Sequence, residues 1–228
     1  MTFDPARISD IYSRSVAQQV FDGLVEFDHT LSITPALAES WKASRDGLTW
    51  TFSLRKGVKF HHGREVAADD VVYSFTRILD PAVKSGAADL FMGIKGAREF
   101  KEGKARRVSG LAALDSHTVQ VTLNEALAPF VSVLAVGHAK IVPKELVEQR
   151  GEAFGSHPIG TARSSLFGGS GDERLSWLPT PTTSAALPSS LVWCIRSSPG
   201  SSSTKCTRSF RRETLRTLRS RLKTIAGS

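Results

Sequence analysis

AESWKASRDGLTWTFSLRKGVKFHHGREVAADDVVYSFTRIL, residues 38–79, decides how this chain is read. Leu48, Trp50, Phe52 and Leu54 alternate with Thr49, Thr51, Ser53 and Arg55, so one face is apolar and the other polar. A period of two is the signature of a half-buried strand. Asp46-Gly47 and Lys56-Gly57 supply turn residues at its two ends, where a glycine takes positive φ without a Cβ penalty. Val58 and Phe60 resume the apolar face, and His61-His62-Gly63 marks a second turn. Val66-Ala67-Ala68-Asp69-Asp70 then leads into Val72, Phe75, Ile78 and Leu79, whose spacing predicts one face of a helix. Asp69 and Asp70 fall in its first turn, where the helix dipole favours negative charge.

The order of these residues resembles solute-binding protein family 5, the extracytoplasmic proteins of peptide-type ABC importers, which carry peptides, nickel and some sugars. Three motifs hold the resemblance: Pro35-Ala36-Leu37-Ala38-Glu39-Ser40-Trp41, then Asp46 to Phe60, then His61 to Ser74. The resemblance implies an α/β fold of the periplasmic-binding-protein-like type II class, with two lobes around a cleft. Residues 1–161 correspond to a partial first lobe with a mixed β-sheet and flanking helices. It implies a substrate-binding component that delivers peptides to an ABC permease in the membrane, acting as a monomer with no cofactor. None of the motif residues forms a catalytic constellation, and each also suits a core or turn position. No enzyme is expected.

Toward the N-terminus, Thr2-Phe3-Asp4-Pro5-Ala6 has neither the basic nor the apolar region of a signal peptide. As written the chain is therefore expected in the cytoplasm, whereas the family is periplasmic or otherwise extracytoplasmic. Phe3-Asp4-Pro5-Ala6 is similar to a segment that relatives carry after a signal and a first strand, which places Met1 inside a longer original frame. Val16, Val20 and Leu24, with Phe21, predict an amphipathic helix closing at Gly23, and Val25-Glu26-Phe27 a strand start. Between the Asp4-Pro5-Ala6 segment and this helix, Ser9, Asp10 and Ile11 fall where relatives have a cleft-facing loop. By resemblance these three are the candidate ligand-binding residues. A solvated connection is the alternative.

Toward the C-terminus, Asp80-Pro81 ends the helix, because the residue before a proline is pushed out of the α region. Residues 87–100 read as helix broken at Gly93 and Gly96. Lys95, Arg98, Lys101, Lys104, Arg106 and Arg107 form a basic stretch, but Glu99 and Glu102 interrupt it and no aromatics interleave for base stacking. It is read as a solvated surface loop, with no nucleic acid. Residues 108–114, the turn Asp115-Ser116, and Val119, Val121 and Leu123 read as a hairpin. Pro129 and Pro143 each suit the first position of a short helix. The His61-His62 pair is read as a turn rather than a metal site, since adjacent side chains diverge and no third ligand is placed. P-loop, dinucleotide, zincin and serine-hydrolase motifs are absent.

His157-Pro158-Ile159-Gly160-Thr161 matches the family's P-I-G-T-G-P-F, and there the resemblance stops in mid-motif. Through Thr161 there are 19 basic and 19 acidic residues, and from Ala162 onward 11 and 3, so the second part carries the whole net charge of +8. That part holds 15 Ser and 8 Thr in 67 residues, together with Cys194 and Cys206, which form no metal or redox pattern. A one-base frameshift accounts for both changes. If Ala162-Arg163-Ser164 is GCC CGT TCN, one added G reads GGC CCG TTC, Gly-Pro-Phe, the missing half of the motif. Residues 162–228 are thus expected to be a basic, out-of-frame, largely disordered tail. Leu215, Leu218, Leu222 and Ile225 among arginines mimic a basic amphipathic helix, which leaves a nucleic-acid- or membrane-binding arm as one alternative. A ligand-sensing domain of the same fold in a regulator is another.

Overall fold

A computed structural model describes residues 2–162, 164–167 and 176–179. The expectations for Cys194, Cys206 and the amphipathic pattern of Leu215, Leu218, Leu222 and Ile225 lie outside the described residues.

The alternating stretch becomes strand β4 (Thr49–Leu54), the centre of a four-stranded sheet. It pairs on one side with β3 (Ala38–Ala43) and on the other with β6 (Thr118–Thr122), which in turn pairs with β5 (Leu111–Asp115). The order is β3-β4-β6-β5, and all strand pairs among the described residues are antiparallel. No parallel pair is present among the described residues, so the parallel part of the expected mixed sheet is not among them. Phe52 faces Val119 across the ladder and Trp50 faces Val121, so apolar residues of neighbouring strands stack on one face. Phe52, Val119 and Val121 are fully buried.

Helix α2 (Ala68–Leu79) covers that face, burying Val71, Phe75, Ile78 and Leu79. Val71, not the expected Val72, starts the stripe, because offsets of four and seven from Val71 reach Phe75 and Ile78. Phe75 meets Phe91 with ring centroids 5.5 Å apart. Phe91 belongs to a 3-10 turn, Ala88–Phe91, and short helix α3 (Ala97–Lys101) follows. The break falls at Gly93 and Gly96, as the spacing predicts; Gly96 has φ +78°, and a Cβ there would lie 2.8 Å from the Ser109 amide.

Val58 and Phe60 do not extend a strand. Residues 57–66 form a compact turn closed by the isolated Lys59–Glu65 bridge, with Gly57 N–H donating to Glu65 Oε1 at 2.6 Å.

A smaller apolar cluster lies around helix α1 (Ile11–Val20): Phe3, Ile8, Val16, Ala17, Val20, Phe21, Val142, Val147 and Phe154. The helix ends at Val20 rather than at Gly23, and Leu24 belongs to the main core instead. Val25–Phe27 forms β1 and pairs with β2 (Ile33–Pro35). Pro129 and Pro143 stand immediately before α4 (Phe130–Leu134) and α5 (Lys144–Arg150). Two further strands, β7 (Ser164–Phe167) and β8 (Ser176–Pro179), pair with each other, and both lie inside the span 162–228 that is expected from sequence to be largely disordered.

Candidate functional site

The expected ligand loop is built on the N-terminal segment, and several elements pin that segment in place. Asp4 is 2% exposed and receives two hydrogen bonds from the Arg77 guanidinium, one of them from Nη1 at 2.6 Å. Burial works against the Arg77 charge; the Asp4 hydrogen bonds and carboxylate outweigh it and raise the guanidinium pKa above its ordinary value. Asp4 Oδ1 also accepts from Ala6 N–H at 3.2 Å, and the Asp4 carbonyl accepts from Arg7 N–H at 2.9 Å. Ile8 is buried, and its carbonyl accepts from His138 Nε2 at 3.1 Å. Phe3 N–H donates to the Gly155 carbonyl at 2.9 Å.

From this anchored base the chain rises into Ser9, Asp10 and Ile11. Asp10 has extended backbone and caps α1: its Oδ1 accepts from Ser13 N–H at 2.7 Å. Hydrogen bonding from Ser13 holds the Asp10 carboxyl below the usual range. Ser9 is exposed, and Ile11, read from sequence as loop, is the first residue of the helix. Ile11 is 69% exposed and its neighbour Tyr12 is 74% exposed. An apolar pair at a helix start, beside backbone N–H groups that lack intrahelical acceptors, is suited to hold an extended chain. Tyr12 was not legible as part of this tip, because nothing in its spacing separates it from the buried face of α1.

The remaining candidates resolve into structure. His61 and His62 diverge: His61 faces the Gly160–Ala162 backbone, and His62 Nε2 lies 3.0 Å from Glu145 Oε1. Arg64 joins Asp70 and Glu145, donating to Asp70 Oδ1 at 2.7 Å and to Glu145 Oε1 at 2.6 Å. Hydrogen bonding to Asp70 is the largest cause raising the Arg64 pKa. Asp70 also accepts from Ala67 N–H at 3.0 Å, the reciprocal half of a capping box, since Ala67 itself has no side-chain acceptor. These residues brace α2 against α5. In the basic stretch, Lys101 pairs with Asp89 at 2.9 Å and Lys104 with Glu102 at 2.7 Å, as in a solvated, charge-interleaved surface. No helix among the described residues is long and apolar enough to cross a membrane.

The model of the bacterial extracellular solute-binding proteins, family 5 Middle, matches residues 32–162, which spans the four-stranded sheet, α2 and the His61 turn. The chain belongs to family 5 of these solute-binding proteins. It is 37% identical over 177 residues to heme-binding protein A of Haemophilus influenzae, covering 70% of this chain and 31% of that protein. It is 36% identical over 156 residues to the periplasmic oligopeptide-binding protein OppA of Escherichia coli K12, covering 67% of this chain and 28% of that one. Among solved structures, the Escherichia coli murein tripeptide binding protein MppA is similar at 33% identity and a TM-score of 0.72, over 78% of this chain and 36% of that one. The family 5 chain thus spans about three-tenths of the length of the curated relatives it matches. The resemblance to family 5 stated from residues 35–74 therefore holds, and the fold is that of a periplasmic binding protein.

Proposed function

We propose that this chain is part of the substrate-binding component of an ABC importer for peptides, working outside the cytoplasm with a membrane permease and carrying out no catalysis. The observation that carries this reading is the anchored loop ending in Ser9, Asp10 and exposed Ile11, on a family 5 scaffold. A loop fixed at its base by the Asp4–Arg77 pair and by His138 loses little conformational freedom when a ligand docks, which favours affinity. Its solvent-facing tip offers an apolar side chain and helix-start N–H groups, the complement of a peptide's side chains and carbonyls. The names of two relatives point to different ligands, heme and oligopeptide. The peptide assignment follows the oligopeptide- and murein tripeptide-binding proteins, whose names denote ligands with a peptide backbone.

The reading includes a change of frame after Thr161. Up to that residue basic and acidic residues balance at 19 each; beyond it the ratio is 11 to 3, as expected when GAG codons are read one base off. Sequencing the genomic DNA across codons 158–166 tests this part. If no single-base change there reopens the frame, the frameshift is wrong.

The function is tested on the product of the frame-restored gene, titrated calorimetrically with a mixed di- to pentapeptide library. Binding with a Kd of about 1 μM or tighter is expected, at about −8 kcal/mol. Ile11→Glu, a change at a 69% exposed position, is expected to weaken it about tenfold or more without altering the far-UV spectrum. No heat from any peptide, with saturable binding of heme instead, would overturn the peptide assignment. Peptide affinity indifferent to Ile11→Glu would remove the loop from the site.

A further inference from the structure

The segment Gly160-Thr161-Ala162 runs between the His61 turn and the end of α1, and both sides hold it. His61 N–H donates to the Gly160 carbonyl at 2.9 Å, and Gly160 N–H donates back to His61 Nδ1 at 3.2 Å. The other ring nitrogen, Nε2, lies 2.7 Å from the Ala162 carbonyl oxygen. On the far side, Ala162 N–H donates to the Val20 carbonyl at 3.1 Å. Asp22 N–H donates to Thr161 Oγ1 at 3.3 Å, and Thr161 Oγ1 donates to Asp22 Oδ2 at 2.9 Å.

The partners leave the imidazole one tautomer. A backbone N–H can only donate, so Nδ1 must present its lone pair to Gly160. A carbonyl oxygen can only accept, so Nε2 must carry the proton for Ala162. A ring with the proton on Nδ1 would set donor against donor at Gly160 and acceptor against acceptor at Ala162. His61 is thus matched to two opposite backbone groups two residues apart, a pairing that neither an apolar ring nor an amine reproduces.

We propose that His61 is a positioning residue, whose singly protonated Nε2–H ring sets the register of the Gly160–Ala162 segment against α1. Through the Ala162–Val20 bond it joins the turn that follows β4 to the helix whose other end carries Asp10 and Ile11. The role is independent of which ligand the protein takes. It also gives the paired histidines separate duties, since the neighbouring His62 reaches Glu145 instead.

The test uses the 228-residue chain itself, labelled with 15N. The imidazole nitrogen shifts of His61 near neutral pH are expected to show a proton on Nε2 and none on Nδ1. Hydrogen exchange then compares two variants. His61→Phe keeps a planar ring and loses both side-chain hydrogen bonds. Exchange of the Ala162 amide, which His61 does not touch, is expected to accelerate about tenfold, in the range of one lost hydrogen bond. His61→Gln carries an oxygen and an NH2 with the same acceptor–donor polarity, and is expected to recover most of that protection. A ring protonated on Nδ1 in the unaltered chain would overturn the proposal, even if both variants failed to fold. So would Ala162 exchange unchanged in His61→Phe, or equally fast in His61→Phe and His61→Gln.

Discussion

Asp4→Ala is expected to destabilise the fold by about 3–5 kcal/mol, because it strands a buried charge. Arg77 is 9% exposed, and its guanidinium donates to both oxygens of Asp4, which is itself 2% exposed. Removing only the carboxylate leaves the desolvation cost of Arg77 in place with nothing to offset it. Asp4 also accepts from Ala6 N–H, so the turn at Pro5 loses a bond as well. Urea unfolding reads the effect as a fall in midpoint at unchanged slope. The decisive comparison is Asp4→Ala combined with Arg77→Met, which removes the stranded charge and is expected to recover at least half of the loss. If Asp4→Ala costs less than about 1 kcal/mol, the pair is behaving like an exposed one and the anchoring of the N-terminal loop is wrong.

Gly160→Ala is the second large effect expected. A Cβ at this position would lie 2.7 Å from the Val20 carbonyl carbon and 2.8 Å from Phe21 Cδ1. Val20 and Phe21 are fully buried, and Phe21 packs on Phe154 with ring centroids 6.1 Å apart. The obstacle is therefore backbone and core, not a side chain that can swing aside. The methyl fits only if the segment moves away from α1, which breaks the Ala162–Val20 and His61–Gly160 hydrogen bonds. Overpacking of this kind costs about 3 kcal/mol. For a fold of this size that is a fall in Tm of about 6–12 °C. Gly86→Ala is the matched control for loss of a glycine by itself, since like Gly160 it has no positive φ and an added Cβ there meets nothing within 4 Å.

What could be read from the sequence was local. β4 is legible because Phe52 and Leu54 alternate with polar residues over a run bounded by glycine turns. The hairpin of β5 and β6 is legible for the same reason. α2 is legible because its apolar stripe, its first-turn aspartates and Pro81 all agree on where it lies. β3 was not read: Ala-Glu-Ser-Trp-Lys-Ala has no clean alternation, its residues are mostly exposed, and it is a strand because β4 offers it a ladder. Val58 and Phe60 carry the right pattern for a strand, yet the turn that closes on Glu65 leaves no length for one.

The candidate site rests on resemblance, and the contacts that anchor it were not legible in the sequence. Asp4 and Arg77 are 73 positions apart, His138 and Ile8 are 130 apart, and His61 and Gly160 are 99 apart. No period or motif connects such pairs, because their meeting is a consequence of the fold. Asp10 caps α1 by accepting from the Ser13 backbone N–H, a role that was not read from the sequence although Asp is a favoured N-cap residue. The resemblance had placed it in a ligand loop, and the two uses are compatible because the cap employs one carboxylate oxygen.

The proposed function implies that a ligand is held between two lobes, of which the described residues supply part of one. Closure of that kind needs contacts from both sides. The direct measurement is isothermal titration of the 228-residue chain, as its sequence stands, against a mixed di- to pentapeptide library. No saturable heat is expected at peptide concentrations up to about 1 mM, weaker than about −4 kcal/mol. Saturable binding with a micromolar Kd would contradict it, since one face alone would then suffice.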